Sequence, residues 1–222
     1  MLHTPTPLVL WKTRQKTLTL EGNPTLEYTI LYPQPTQCGL AGRFLRAYYR
    51  HMAYVWEMRW QREVYPRACL DYAQRQASGK PFTPWLGNLQ GELTLLEFPF
   101  LSLHFTGSEK QGSGNTCRIS WGEVWNLKTG APCHWSEFLS PPYSKSHLAQ
   151  QIVEQGTQQA RAGTRFFHPH WETQVPEHLS AHGFWLTEDK LHLSLPQCTI
   201  SPAAEGTPEF TFPRKNTAHS SP

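Results

Sequence analysis

The sequence predicts an α+β fold: a mostly antiparallel sheet packed with two or three helices. Three observations carry this. Segments whose apolar residues recur at every second position bracket segments with apolar spacings of three and four. The order is strands, helix, strands, helix, strands rather than a regular strand–helix alternation. Successive strands are joined by short turn-like connections, which favour hairpins over crossovers. The chain has 222 residues, 38% of them hydrophobic, enough to bury a core and too apolar for a disordered chain. Aromatic residues make up 13%, nine of them Trp, while charged residues are 17%, below the usual roughly 25%. Much of the core must therefore be aromatic, with some rings left for a surface that binds something.

The elements follow in order. Residues 15–20 alternate and read as a strand. Gly22, Asn23 and Pro24 signal a turn. Residues 26–32 read as a second strand, stopped by Pro33 and Pro35. Between 40 and 78, Ala41, Leu45, Tyr48, Met52, Val55 and Trp56 keep helical spacing. Pro66 breaks or kinks that helix by removing an amide donor. Gly79 and Pro81 end it. The middle third is β: strands at 92–98, 101–106 and 117–127, with a polar loop at 107–114. Helices are expected at 146–167 and at 173–182, the latter with Pro176 in its first turn. A hairpin over 183–195 and a short strand at 209–212 close the fold. The divisions expected are an N-terminal strand region at 1–24, a domain at 25–213 with sub-lobes 25–85 and 86–213, and a disordered tail at 214–222.

Several function classes are excluded or disfavoured. The net charge of +3 is too mild to imply nucleic acid. The N-terminus lacks the apolar run of a secretory signal, and no stretch approaches the roughly 18 apolar residues of a membrane span. At face value the chain is cytoplasmic, and extracytoplasmic if an anchor has been removed. Five Cys, widely spaced and without a CxxC, point to free thiols rather than a disulfide framework, with a single bridge left open. No Gly-x-Ser-x-Gly elbow, Walker loop or dinucleotide fingerprint occurs, so no cofactor is expected. His178 and His182 stand four apart on an expected helix, near His168, His170 and the pair Cys133–His134. No complete zinc spacing results, and surface or packing roles are the expectation.

The C-terminal third carries a resemblance. The run FWLTEDKLHLSL at 184–195, then Ile200, Pro202, Ala203, Gly206, Pro208 and Phe210, is similar to the closing segment of the RsiV-like domain. Upstream, FLSLHF at 100–105, WNLKTG at 125–130 and WSEFL at 135–139 resemble that family's central strand, tight turn and short segment before its helix. The resemblance covers roughly residues 25–213. One departure stands out: a Gly-Ala-His core usually follows the central strand, whereas here that place reads Gly112, Ser113, Gly114, Asn115.

RsiV-like domains form the extracytoplasmic part of certain bacterial anti-sigma factors and accompany some cell-wall deacetylases. The resemblance therefore implies a non-catalytic binding or sensor domain of the cell envelope, with a protein or cell-wall polymer as ligand. The best-known member type binds lysozyme. This chain is itself mildly basic, so a basic lysozyme is not favoured by charge. Contacts are expected from Gly112, Ser113, Gly114 and Asn115, and from the loop at Pro141, Pro142 and Tyr143, because loops on a rigid scaffold carry binding. Trp121, Trp125, Trp135 and Trp185 read as core, while Trp11, Trp85 and Trp171 read as exposed rings. The seven arginines of residues 43–75 read as a solvated helix face, with an anionic partner as the alternative. An enzyme acting on cell-wall glycans and a cytosolic regulatory partner are the competing functions.

Overall fold

Two long strands open the chain: β1 (Val9–Leu20) and β2 (Asn23–Pro35) pair antiparallel around Glu21 and Gly22. Both of those residues have positive φ, 52° and 81°, as a two-residue hairpin turn requires. The structure is a computed structural model and describes residues 9–36, 39–140 and 144–215. Cys38, the expected contacts Pro141, Pro142 and Tyr143, and the expected tail from residue 216 onward lie outside the described residues. Pro33 and Pro35 do not stop β2 as expected. The next strand pairs with β2 only over Leu26–Leu31, so beyond Leu31 the missing proline donors interrupt no ladder on that side.

A single helical rod follows: α1 (Gly39–Arg59), a wider π turn at Trp60–Val64, and α2 (Tyr65–Ala77). Near Pro66 the helix is interrupted, as expected, by a change of bonding rather than a break in the chain of turns. The π turn directly before Pro66 shifts the bonding, with the Tyr65 N–H donating to the Trp60 carbonyl. That widening absorbs a proline that would otherwise clash one turn back. The rod packs on β2, burying Leu45, Tyr49, Ala53 and Trp60 with Leu26, Tyr28, Ile30 and Leu89. Gly87 exists for Trp60: a Cβ there would lie 2.7 Å from the indole Cε2.

β3 (Trp85–Glu97) then runs parallel to β2, Trp85–Gln90 beside Leu26–Leu31. This pair departs from the preference for hairpins over crossovers, within a fold that is mostly antiparallel as expected. The helical rod between the two strands is long enough to make the crossover that parallel pairing needs. β4 (Phe100–Lys110) and β5 (Thr116–Asn126) complete a five-stranded sheet in the order β1-β2-β3-β4-β5. The expected 107–114 loop shrinks to 111–115, because β4 runs through Lys110.

α3 (Lys145–Arg161) begins with the Ser144 hydroxyl accepting from the His147 N–H. It ends six residues before the expected limit. α4 (Trp171–His178) holds Pro176 inside the helix rather than in the first turn. β6 (Phe184–Leu186), β7 (Lys190–Ser194) and β8 (Glu209–Pro213) form an antiparallel three-stranded sheet. Phe138, Leu148, Ile152, Val175, Phe184, Leu186, Leu193 and Phe210 share one apolar core with α3 and α4.

The architecture is thus α+β, with antiparallel pairing dominant and, among the described residues, three helical rods. The chain forms two compact units. One comprises Met1–Gly91, Thr106–Cys117 and Lys128–Gly130; the other Glu92–Phe105, Arg118–Leu127 and Ala131–Pro222. The expected lobe boundary at 85/86 falls at the start of β3. Among the described residues, no helix is long and apolar enough to cross a membrane.

Candidate functional site

The second unit contains a pocket of about 360 Å³ beside β5, between Ser180–Gly183 and the turn after β7. Two glycines shape it. At Gly122 a Cβ would fall 2.5 Å from the Phe184 backbone, so only glycine lets β5 pass this close to β6. Gly183, at φ 95°, turns its carbonyl to accept from both the N–H and the hydroxyl of Ser194, at 3.1 and 3.0 Å.

The wall is uncharged. Ser120 lines the pocket, and its N–H donates to the Thr207 hydroxyl oxygen at 2.8 Å. Gln197 uses its amide nitrogen to hold the Arg118 and Ala203 carbonyls, at 3.2 and 3.1 Å. His182 Nδ1 lies 2.9 Å from the Cys133 carbonyl. A carbonyl can only accept, so Nδ1 carries a proton and donates it there. Trp121, on the opposite face of β5 from Ser120, stacks on Phe105 with ring centroids 5.2 Å apart and stays half-buried.

Beneath Ser120 lies a second arrangement. His104 Nε2 is 2.6 Å from the Ser120 Oγ, and its Nδ1 is 4.0 Å from the Glu92 carboxylate. His104 stacks on Trp185 at 4.2 Å, and His192 stacks near the same indole at 5.1 Å, the planes within 20° and 11° of it. Burial pushes both imidazoles below 6.5 by disfavouring the charged form, against a partial opposing pull from Glu209 on each and from Glu92 on His104. Both are held neutral and able to donate or accept.

The expected contact residues sit elsewhere. Gly112 is buried at φ 55°, and a Cβ there would approach the Thr83 carbonyl oxygen to 3.2 Å. Ser113, Gly114 and Asn115 are exposed, and the Gly114 N–H closes a tight turn on the Gln111 carbonyl at 2.8 Å. None of the four is among the residues lining the pocket. The expected tryptophan exposures are corrected. Trp85 and Trp171 are buried, whereas Trp121 is only half-buried and is among the residues lining the pocket. The histidines do not converge. His134 caps the turn at Trp135–Glu137, the His168 N–H donates to the Ile200 carbonyl, and His170 precedes α4 at φ 59°. Among the described residues, no three His, Cys, Asp or Glu side chains could hold a metal together. The close approach of β5 to β6 beside the pocket is signalled by Gly122, since glycine inside a strand marks such an approach.

No family model matches the chain, and no curated protein matches it. Solved structures do. A member of the DUF3298 family from Bacteroides fragilis NCTC 9343 superposes with a TM-score of 0.62 at 14% identity, over 92% of this chain and 90% of that one. A DUF3298 family protein from Pseudomonas aeruginosa PAO1 gives 0.51, also at 14% identity, over 94% and 91%. This chain has the DUF3298 fold. At such low identity the likeness is one of architecture, and the DUF3298 fold extends across both units rather than one of them.

Proposed function

We propose that this chain is a non-catalytic recognition domain of the RsiV-like ectodomain kind, working in the cell envelope, and that the Trp121 pocket takes an uncharged glycan of the cell wall. The observation that supports this best is the make-up of the pocket lining: a tryptophan, hydroxyl residues, an amide residue and one histidine, with no Asp, Glu, Lys or Arg. A sugar ring offers an apolar face and hydroxyls to match. A charged ligand would lose its hydration there with nothing to replace it. The pocket lies at the small end of ligand sites, room for a ring or two rather than a long polymer. The segment that resembles the RsiV-like closing region supplies Ser194, Leu195 and Thr207 to the wall.

The test is a tryptophan fluorescence titration with soluble peptidoglycan fragments on the full chain and on Trp121→Ala. A saturable change, absent in the variant, is expected. A flat response of the unsubstituted chain would overturn the glycan reading. Specific retention of one envelope protein, lysozyme included, would then keep recognition and replace the ligand.

A second reading, an enzyme on cell-wall glycans, rests on the 2.6 Å Ser120–His104 pair, a nucleophile-to-base distance. Against it, Trp185 covers one face of the imidazole and Glu92 stands too far to hydrogen-bond it. Ester hydrolysis by the chain, abolished in Ser120→Ala, would favour catalysis.

A further inference from the structure

We infer that the outward face of α1 docks an acidic, amphipathic segment of a partner protein. On this helix Leu40, Phe44, Tyr48, His51 and Val55 fall at intervals of three and four, which places them in one stripe. The stripe is turned away from the core: Leu40 is 81% exposed, Phe44 52%, Val55 50%, and Tyr54 beside it 48%. Phe44 and Tyr48 stack on each other at 6.4 Å. A run of large apolar side chains in water along a helix is costly to keep and marks an interaction surface.

Charge identifies the occupant. Residues 39–56 contain no Asp or Glu. Arg46 is held by the Pro35 carbonyl, and Arg59 pairs with Glu63 and Glu109. Arg43 and Arg50 are exposed, about two turns apart on the same edge, and among the described residues neither has an acidic partner. The surface is thus an apolar stripe bordered by two guanidiniums, which suits carboxylates set beside apolar anchors. A second copy would bring the same face, with more arginine and no carboxylate. A lipid surface draws cations to both edges of a helix, whereas these two share one edge. The inference is independent of the Trp121 pocket.

The test selects peptides from a random display library on the full chain. Enriched sequences should carry Asp or Glu beside Leu, Phe or Trp. They should lose about tenfold in affinity on Arg43→Glu/Arg50→Glu, and a similar factor on Leu40→Ser/Val55→Ser. All four side chains are exposed, so the fold should survive, which an unchanged Tm checks. Enrichment of neutral or basic peptides, no enrichment, or affinities unmoved by these variants would overturn the inference. So would binding to vesicles of phosphatidylcholine and phosphatidylglycerol that is lost in Arg43→Glu/Arg50→Glu, or a dimer dissolved by it.

Discussion

Gly156→Ala separates two effects of opposite sign. Gly156 lies inside α3, where alanine normally stabilises a helix by about 1 kcal/mol. A Cβ on Gly156 would stand 2.3 Å from Trp171 Cη2, with two further ring atoms within 3.0 Å. That indole is 6% exposed and stacked on Phe167 at 4.3 Å, so it has little freedom to retreat. Overpacking of this kind costs about 1–3 kcal/mol, and a contact this short sits at the upper end. The expected net effect is a loss of about 1–2 kcal/mol, or a Tm lower by about 2–8 °C for a chain of this size. Thermal and urea unfolding should agree, with the urea slope unchanged. Trp171→Leu on its own will destabilise by emptying space. Combined with Gly156→Ala it should cost less than the sum of the two, by about 1 kcal/mol. A Gly156→Ala protein as stable as the parent would refute the packing argument.

Three further outcomes follow from the same structure. His104 and His192 are pushed below 6.5 by burial, so the folded chain binds fewer protons than the unfolded one in that range. Stability should be complete above 6.5 and fall as pH drops through the folded-state values; His104→Gln should flatten the curve, and a curve already flat in the parent would contradict the assignment. The Cys133 thiol is buried and pushed up to about 12 by burial, with Glu137 adding to it. Under native conditions a disulfide reagent should modify the exposed Cys117 and Cys198 and spare Cys133 until the chain unfolds; peptide mass mapping reads this directly. Glu57 accepts from Arg14 at 2.7 Å and from the Tyr28 hydroxyl at 3.1 Å, and Gln61 donates to that same hydroxyl at 2.7 Å. Glu57→Gln should lower the unfolding free energy by about 1–2 kcal/mol, and no loss would mean that the half-exposed network is replaced by water at no cost.

Much of the fold was legible because its elements obey local rules. The 40–78 helix, the hairpin at 183–195 and the last strand follow from spacing and turn residues alone. Pro66 marked an irregularity correctly, but its form, a widened turn rather than a gap, depends on whether the preceding turn can widen, which is a property of the packed rod. The parallel β2–β3 pairing was hidden for a similar reason. Nothing in residues 26–31 or 85–90 says which strand lies beside which, and the deciding fact is where the helix lands. The site was less legible. Trp121 sits in the same alternating pattern as Trp125, and nothing in that pattern says which of the two stays half-buried. Trp85 and Trp171 stand in polar or Pro-rich sequence yet are covered by neighbours far along the chain. Gly112 offered the flexibility of a binding loop, but its positive φ serves a buried turn against Thr83.

The division of β3, β4 and β5 between the two units bears on inheritance as much as on architecture. The chain changes unit at 91/92, 105/106, 117/118, 127/128 and 130/131. Neither unit is therefore a contiguous stretch of gene. A ribosome releases the last residue of the first unit, Gly130, only after two segments of the second have emerged. No single cut yields either one whole, and neither can be duplicated, exchanged or appended to another protein as a cassette. Recombination must take both together or neither, so a lineage that alters one unit does so with the other always beside it in the same reading frame.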